Sequence, residues 1–334
     1  MKVAVFSTEP HDRHFLDLAN QSMNTNHELV YFDTRLEPKT ASLAEGFPAI
    51  CAFVNDDLGQ ETLNNLASHG IKLIALRCTG FNNVDLKTAA ALGIKVVRVT
   101  AYSPYSVAEL AIGLILMLNR KLYKAYNRVR DDNFSLNGLL GFDLHGRTVG
   151  IIGTGKIGVI FAKIMQGFGC HLLGYDPYPN PQFKAIENAH YVDLPELLAN
   201  SDIISLHCPL TPENHHLINE TTINQMRDGM MLINTSRGQL IDTKAVITGI
   251  KSGKIGYLGI DVYEQEDDIF FKDLSDTIIQ DDTFQLLQSF PNVVITSHQG
   301  YFTENALNDI TTTTITSLTE FEEGKPLSNE VKNN

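Results

Sequence analysis

Short apolar runs alternate with helix-like stretches along nearly the whole chain, and within the runs apolar side chains fall at consecutive positions instead of every second one. A strand apolar on both faces has to be covered on both, the condition met by a parallel sheet with helices on each side. The fold class is therefore α/β. Runs at 2–6, 49–54, 71–76 and 95–99, separated by Asp, Asn, Gly and Pro, predict one small parallel sheet. A second series at 148–152, 171–175, 203–206, 231–233, 256–260 and 293–296 predicts six strands, the number in a complete doubly wound sheet. At 334 residues the chain exceeds the usual size of one domain, so two sheets imply two domains with a cleft as the expected site.

Between the two series, 104–130 is apolar around most of its circumference up to Leu118 and then turns basic and polar. That pattern predicts a long domain-crossing helix, buried in the interior or at a subunit interface. At the other end, 303–322 reads as a helix in spite of Thr311 to Thr314, and it follows the last strand of the second sheet. It is expected to cross back to the first domain. One domain is then discontinuous, 1–102 with 299–334, and the other is 103–298.

The sharpest local motif is TVGIIGTGKIG at 148–158, a strand that runs through G-x-G-x-x-G into a helix. Gly153 permits the tight turn, Gly155 lets the backbone approach a pyrophosphate, and Gly158 lets helix pack on strand. The amides opening the helix supply the positive end that holds phosphate. Eighteen residues beyond Gly158 the next strand ends at Asp176, where an acid hydrogen-bonds the adenine ribose and disfavours a 2′-phosphate. The domain 103–298 is thus predicted to be Rossmann-like and to bind NAD in preference to NADP.

A net charge of −13 argues against a nucleic-acid binder, which needs a basic face. The longest apolar run, 108–118 broken by Gly113, falls far short of the roughly 20 residues of a membrane span. Met1 leads straight into an apolar strand without the basic and apolar regions of a signal peptide, so a cytoplasmic location is expected. Cys51, Cys78, Cys170 and Cys208 form neither a C-x-x-C pair nor a zinc-type spacing and are expected to be reduced thiols. No metal is expected, because the Asp, Glu and His residues show no compact ligand spacing.

Five further segments, LRCTGFNNVD (76–85), SLHCPLTP (205–212), NTSRGQLID (234–242), GIDVYEQE (259–266) and SHQ (297–299), occur in order around the glycine loop. With these motifs the chain resembles the D-2-hydroxyacid dehydrogenases over almost its whole length, and most closely their bacterial fermentative D-lactate branch. The resemblance implies a flavodoxin-like substrate domain beside the dinucleotide-binding domain, and reversible NADH-dependent reduction of pyruvate to D-lactate. Reducing a 2-oxo acid requires a cation for the carboxylate and carbonyl, a hydride donor held over the carbonyl carbon, and an acid for the new alkoxide. Arg237, at the C-terminal end of the strand 231–233, matches the cation, and its guanidinium can grip a carboxylate in a fork that Lys cannot reproduce.

His298 matches the family's acid and base. Glu266 matches the carboxylate that pairs with the imidazole and favours its charged form. By the same matching, Thr79 and Gly80 supply amides to the substrate carboxylate and Tyr102 and Tyr301 face the substrate. Lys156, Ile157, Cys208, Pro209, Asn214, Thr235, Ser236 and Asp261 line the NAD site. His207, His215 and His216 are given no catalytic role, and Glu264, Asp267 and Asp268 read as a solvated acidic loop.

Two other readings stand beside this one. Arg237, Glu266 and His298 recognise only the shared headgroup, so larger 2-oxo acids such as phenylpyruvate are alternative substrates. From another class, relatives of this architecture serve as NAD(H)-sensing co-repressors, a reading opposed by the complete catalytic set. The resemblance also implies a homodimer or homotetramer.

Overall fold

Both expected sheets form, and every strand pair in them is parallel, in the computed structural model of the chain, which describes residues 1–332. The chain falls into two units. Met1–Ser103 and the chain from Phe302 onward make the first, and Pro104–Tyr301 makes the second. Residues 299–301 thus group with the second unit, because the Asp261 carboxylate accepts from the amides of Gln299 and Gly300 and Ser106 Oγ donates to the Gly300 carbonyl.

The first unit contains β1 (Lys2–Val5), β2 (Glu28–Tyr31), β3 (Ala49–Ala52), β4 (Leu73–Leu76) and β5 (Lys95–Arg98), in the order β2-β1-β3-β4-β5. This is the 2-1-3-4-5 order of flavodoxin-like sheets. The central β3 and β4 are buried throughout, as strands covered on both faces must be. The edge strand β2, absent from the sequence reading, pairs only with β1, and none of its four residues is fully buried. Its apolar residues Leu29, Val30 and Tyr31 are only partly buried.

Helix Glu304–Glu322 belongs to this unit, opening at Thr303, whose hydroxyl accepts from the Ala306 amide. Its Ile315 and Leu318 pack into the cluster of Val3, Val5 and Leu16. The helix tolerates its threonines because their hydroxyls donate to carbonyls four residues back, Thr311 to Leu307 and Thr314 to Ile310.

The second unit contains β6 (Thr148–Ile152), β7 (His171–Tyr175), β8 (Ala189–Tyr191), β9 (Ile203–Leu206), β10 (Met230–Asn234), β11 (Ile255–Ile260) and β12 (Val293–Ile295). Their order is β12-β11-β10-β9-β6-β7-β8, the doubly wound dinucleotide-binding order with one strand beyond the expected six. The additional strand is β8, three residues at the sheet edge. Strand order reverses between β6 and β9, so a crevice is expected beyond their carboxyl ends.

The expected long helix is two helices. Pro104–Arg120 lies wholly in the second unit, and Leu122–Arg130 follows after Lys121 adopts a left-handed φ of 50°. The break is explained by the returning chain. Asn119 Nδ2 donates to the Phe142 carbonyl at 2.7 Å, the Phe142 amide donates to Asn119 Oδ1 at 2.8 Å, and Lys121 Nζ reaches the Leu140 carbonyl. The first helix buries Ala111, Leu114, Ile115 and Leu118 over the sheet, close enough to β11 that a Cβ on Gly259 would stand 2.9 Å from Ile233 and 3.1 Å from Leu118. Gly259→Ala should therefore overpack this contact and destabilise the fold by about 1–3 kcal/mol, measured as a lower urea midpoint at unchanged slope.

Candidate active site

The glycine turn is shaped by what lies against it. Gly153 has a φ of 95°, and a Cβ there would stand 2.6 Å from the Cys208 amide nitrogen and from the His207 carbonyl carbon. A Cβ on Gly158 would fall 2.0 Å from the Gly153 carbonyl oxygen. Both positions admit only glycine. Gly155 differs, because a Cβ there would meet nothing within 4 Å. It is the N-cap of helix Lys156–Gly167 and provides no side-chain cap, so the helix presents unsatisfied amides beside open space. A pyrophosphate fits that cradle. Lys156 and Ile157 are the first two helical residues.

Asp176 follows β7 and is tied to the same turn. Its Oδ2 accepts from the Thr154 amide at 2.7 Å and its Oδ1 from the Tyr178 amide at 2.8 Å. Across the switch point, Asn214 Nδ2 donates to the Pro209 carbonyl at 2.7 Å, closing the loop that carries Cys208. Burial pushes the Cys208 thiol up to about 11, which keeps it protonated. Thr235 Oγ1 is buried without a hydrogen-bond partner among the described residues, a polar atom left for a ligand.

Arg237 is presented by a turn after β10. Buried Asn234 accepts from the Ser236 amide at 3.0 Å and donates to the Arg237 carbonyl at 2.8 Å, while Ser236 Oγ donates to the Leu206 carbonyl. The guanidinium donates to the Ser236 carbonyl at 2.6 Å and has no carboxylate partner among the described residues. Its charge is available to an anion.

His298 follows β12 with a φ of 55°, an uncommon conformation for a residue other than glycine. The turn is imposed by Asp261, which follows β11. The Asp261 carbonyl accepts from the His298 amide at 2.7 Å, and its carboxylate accepts from Thr296 Oγ1, the Gln299 amide and the Gly300 amide. Burial raises the pKa of that carboxyl, and these hydrogen bonds together with the charge of His298 oppose the shift. His298 Nδ1 lies 2.7 Å from Glu266 Oε1, and Glu266 Oε2 accepts from the Tyr263 amide at 2.8 Å. With Nδ1–H donated to the carboxylate, Nε2 is the ring nitrogen left to exchange a proton. The Phe271 ring lies 5.9 Å from the imidazole, a neighbour that sequence reasoning did not identify.

In the first unit, Thr79 and Gly80 follow β4. Arg98 Nη1 donates to the Thr79 carbonyl at 2.8 Å and Cys78 Sγ to the Gly80 carbonyl at 3.2 Å. Arg77 just before them is buried, paired with Asp12 at 3.0 Å and donating to the Ser7 carbonyl at 2.6 Å. Thr79 Oγ1 is buried with no partner among the described residues. Tyr102 lies near the end of the first stretch of this unit, and Tyr301 ends the second unit.

One expectation is corrected. Glu264 is not a solvated acid: its side chain is 17% exposed, its Oε1 lies 2.7 Å from His216 Nε2, and its Oε2 accepts from the Thr243 amide and hydroxyl. Asp267 and Asp268 lie in the 3-10 turn Glu266–Asp268, which contains no buried residue.

His207 is enclosed beneath the glycine turn, its Nε2 2.9 Å from Ser205 Oγ and its ring 4.6 Å from that of Phe161. Burial pushes its pKa down to about 3. The unfolded chain takes up this proton near 6.5, so between these values the unfolded state binds more protons and stability falls as pH is lowered. Going from pH 7 to pH 5 should therefore destabilise wild type more than His207→Gln, by roughly 1–2 kcal/mol in paired denaturant titrations.

Residues 112–300 match the family described as D-isomer specific 2-hydroxyacid dehydrogenase, NAD binding domain. The chain is 53% identical to the D-lactate dehydrogenase of Escherichia coli over 332 residues, 99% of this chain and 100% of that one. The solved apo-structure of D-lactate dehydrogenase from Escherichia coli superimposes with a TM-score of 0.91 at 50% identity, covering 99% of this chain and 100% of that one. The structure of the pyruvate reductase of Chlamydomonas reinhardtii does so with a TM-score of 0.94 at 44% identity, covering 98% of each chain.

Proposed function

The chain belongs to the D-isomer specific 2-hydroxyacid dehydrogenase family and is an NAD-dependent oxidoreductase, and from that premise we propose that it reduces pyruvate to D-lactate through Arg237, His298 and Glu266. The observation that carries the residue roles is the 2.7 Å contact between His298 Nδ1 and Glu266 Oε1, made on a turn that Asp261 holds in a left-handed conformation.

Arg237 takes the substrate carboxylate, because its guanidinium is a fork with no carboxylate among the described residues to neutralise it. The amides of Thr79 and Gly80 are assigned to the same carboxylate, and Tyr102 and Tyr301 to the rest of the substrate. The reduced nicotinamide, when bound, supplies the hydride. His298 Nε2 gives the proton to the oxygen that becomes the hydroxyl, and in the oxidative direction neutral Nε2 takes it back. Glu266 keeps the ring oriented and balances its positive charge before transfer.

For the cofactor, the open amides at Gly155, Lys156 and Ile157 hold the pyrophosphate between Gly153 and Gly158. Asp176 takes the adenine ribose hydroxyls. Thr235, Ser236, Cys208, Pro209, Asn214 and Asp261 complete the cofactor site.

A homodimer or homotetramer is proposed on the segment after helix Leu122–Arg130, where Phe134, Leu136 and Leu140 are 71%, 81% and 87% exposed. The cytoplasm is the proposed compartment, in keeping with four free cysteines. No helix among the described residues is long and apolar enough to cross a membrane. Replacing Phe134 and Leu136 by Asp should shift the protein to a smaller species in sedimentation velocity. An unchanged sedimentation coefficient would place the interface elsewhere.

The test of the activity is NADH oxidation with a panel of 2-oxo acids and chiral analysis of the product. Pyruvate should lead the panel and yield D-lactate; a preference for phenylpyruvate would transfer the assignment to larger 2-oxo acids. In the same assay His298→Gln should leave NADH affinity within about twofold and lower kcat by roughly 10²- to 10⁴-fold, the range for loss of a general acid. Glu266→Gln should fall between that variant and wild type. A Glu266→Gln kcat equal to that of wild type would remove Glu266 from the mechanism.

A further inference from the structure

The segment directly after Arg237 is fastened on two sides. On one side, a Cβ on Gly238 would stand 2.2 Å from the carbonyl carbon and oxygen of Tyr263 and 2.5 Å from the Glu264 amide nitrogen, so the backbone after Arg237 lies flat on the backbone that carries Glu264. On the other side, the His216 amide donates to the Gln239 carbonyl at 2.9 Å, and the Ile218 amide donates to the Leu240 carbonyl at 3.0 Å. The two sides are joined by side chains: Glu264 Oε1 lies 2.7 Å from His216 Nε2. The remaining carboxylate oxygen accepts from the Thr243 amide at 3.2 Å and its hydroxyl at 2.7 Å, which secures the far end of the same segment.

His216 accepts backbone strain to make this contact, with a φ of 53°. A residue other than glycine in that region is strained and persists where its surroundings hold it. The Asn219 side chain holds it here, donating from Nδ2 to the His216 carbonyl at 2.8 Å. The His216 ring also lies 3.9 Å from that of His215. None of these groups belongs to the proton-transfer pair, and Glu264 faces His216 while Glu266, two residues on, faces His298.

We infer that Glu264 and His216 are positioning residues for Arg237, a clamp that sets the backbone from which the guanidinium reaches the substrate carboxylate. The inference rests on the assignment of Arg237 to that carboxylate. A loosened clamp leaves the charge in place and loses its aim, which is the condition under which a small displacement becomes a large loss of rate. The clamp acts on the 2-oxo acid and not on the nucleotide, since the glycine turn and Asp176 are held by a separate set of hydrogen bonds.

The experiment is a double-mutant cycle in the full-length protein with saturating NADH, combining Glu264→Gln with Arg237→Lys. Glu264→Gln alone should lower kcat/KM for pyruvate by roughly 10- to 100-fold, chiefly through KM, with NADH affinity within about twofold of wild type. In the Arg237→Lys background, where the fork is already gone, the same change should alter kcat/KM by less than about threefold. Equal losses in both backgrounds, or a loss confined to kcat at constant KM, would mean that Glu264 only supports the fold and would overturn the clamp. A near-normal Glu264→Gln beside a crippled Arg237→Lys would overturn the clamp and leave the role of Arg237 standing. A near-normal Arg237→Lys would overturn both. If Glu264→Gln does not fold, His216→Gln, which leaves Glu264 bonded to Thr243, reads the same coupling from the other side.

Discussion

The chemistry of the second unit depends on one buried carboxylate. Asp261 follows the strand beside the one that precedes His298, and its carboxylate accepts three hydrogen bonds from the turn that carries the imidazole while its carbonyl accepts a fourth. A buried carboxylate is stable only when so engaged. The demand runs both ways, because the turn holds a histidine in a left-handed conformation that would relax without the acid beneath it. Five residues further on, Glu266 reaches the same imidazole from the side. A single stretch leaving β11 thus fixes both the place and the orientation of the His298 ring.

The sheet explains why these groups meet. Parallel strands in the order β12-β11-β10-β9-β6-β7-β8 deliver their carboxyl ends to one edge, and the glycine turn, Cys208, Arg237, Asp261 and His298 each follow a different strand there. Much of this was legible in the chain itself. Central strands need apolar residues on both faces and declare themselves as runs, and functional residues just after such runs inherit a predictable edge. The strands that were missed, β2 and β8, are short edge strands with one neighbour each: no residue of β2 is fully buried, and β8 has only three residues. The break at Lys121 was equally silent, since it comes from Asn119 and the returning segment at 140–142 and not from a glycine or proline in the helix.

Within the site, the residues assigned to ligand chemistry, Asp261 among those of the cofactor, are marked by the motifs shared with the family, but the supporting contacts are not. Asn234 and Glu264 look like ordinary polar residues near turns, and the hold of Asp261 on the His298 turn is equally silent; what distinguishes these contacts is burial and partner choice, both properties of tertiary contact. Glu264 shows the difficulty. In a stretch reading Glu264, Glu266, Asp267, Asp268, alternation carries no information about which acid is enclosed, and only the His216 imidazole brought in from a distant loop decides it.

The charge arrangement follows from these commitments. A chain of net charge −13 has to bind an anion, and the cation assigned to it stands among acids. Asp261 gives its carboxylate to backbone amides and a hydroxyl, Glu264 to His216 and Thr243, and Glu266 to His298 and the Tyr263 amide. Each of these three acids is therefore satisfied by a partner other than Arg237. An Arg–carboxylate pair formed internally would compete with substrate for the same fork, and in a partly buried site that competition is strong because charge-assisted bonds are about twice as strong as neutral ones. Among the described residues, holding the acids elsewhere leaves the guanidinium with only the Ser236 carbonyl, an acceptor too weak to neutralise it. An acidic protein can in this way retain one cation for a carboxylate substrate.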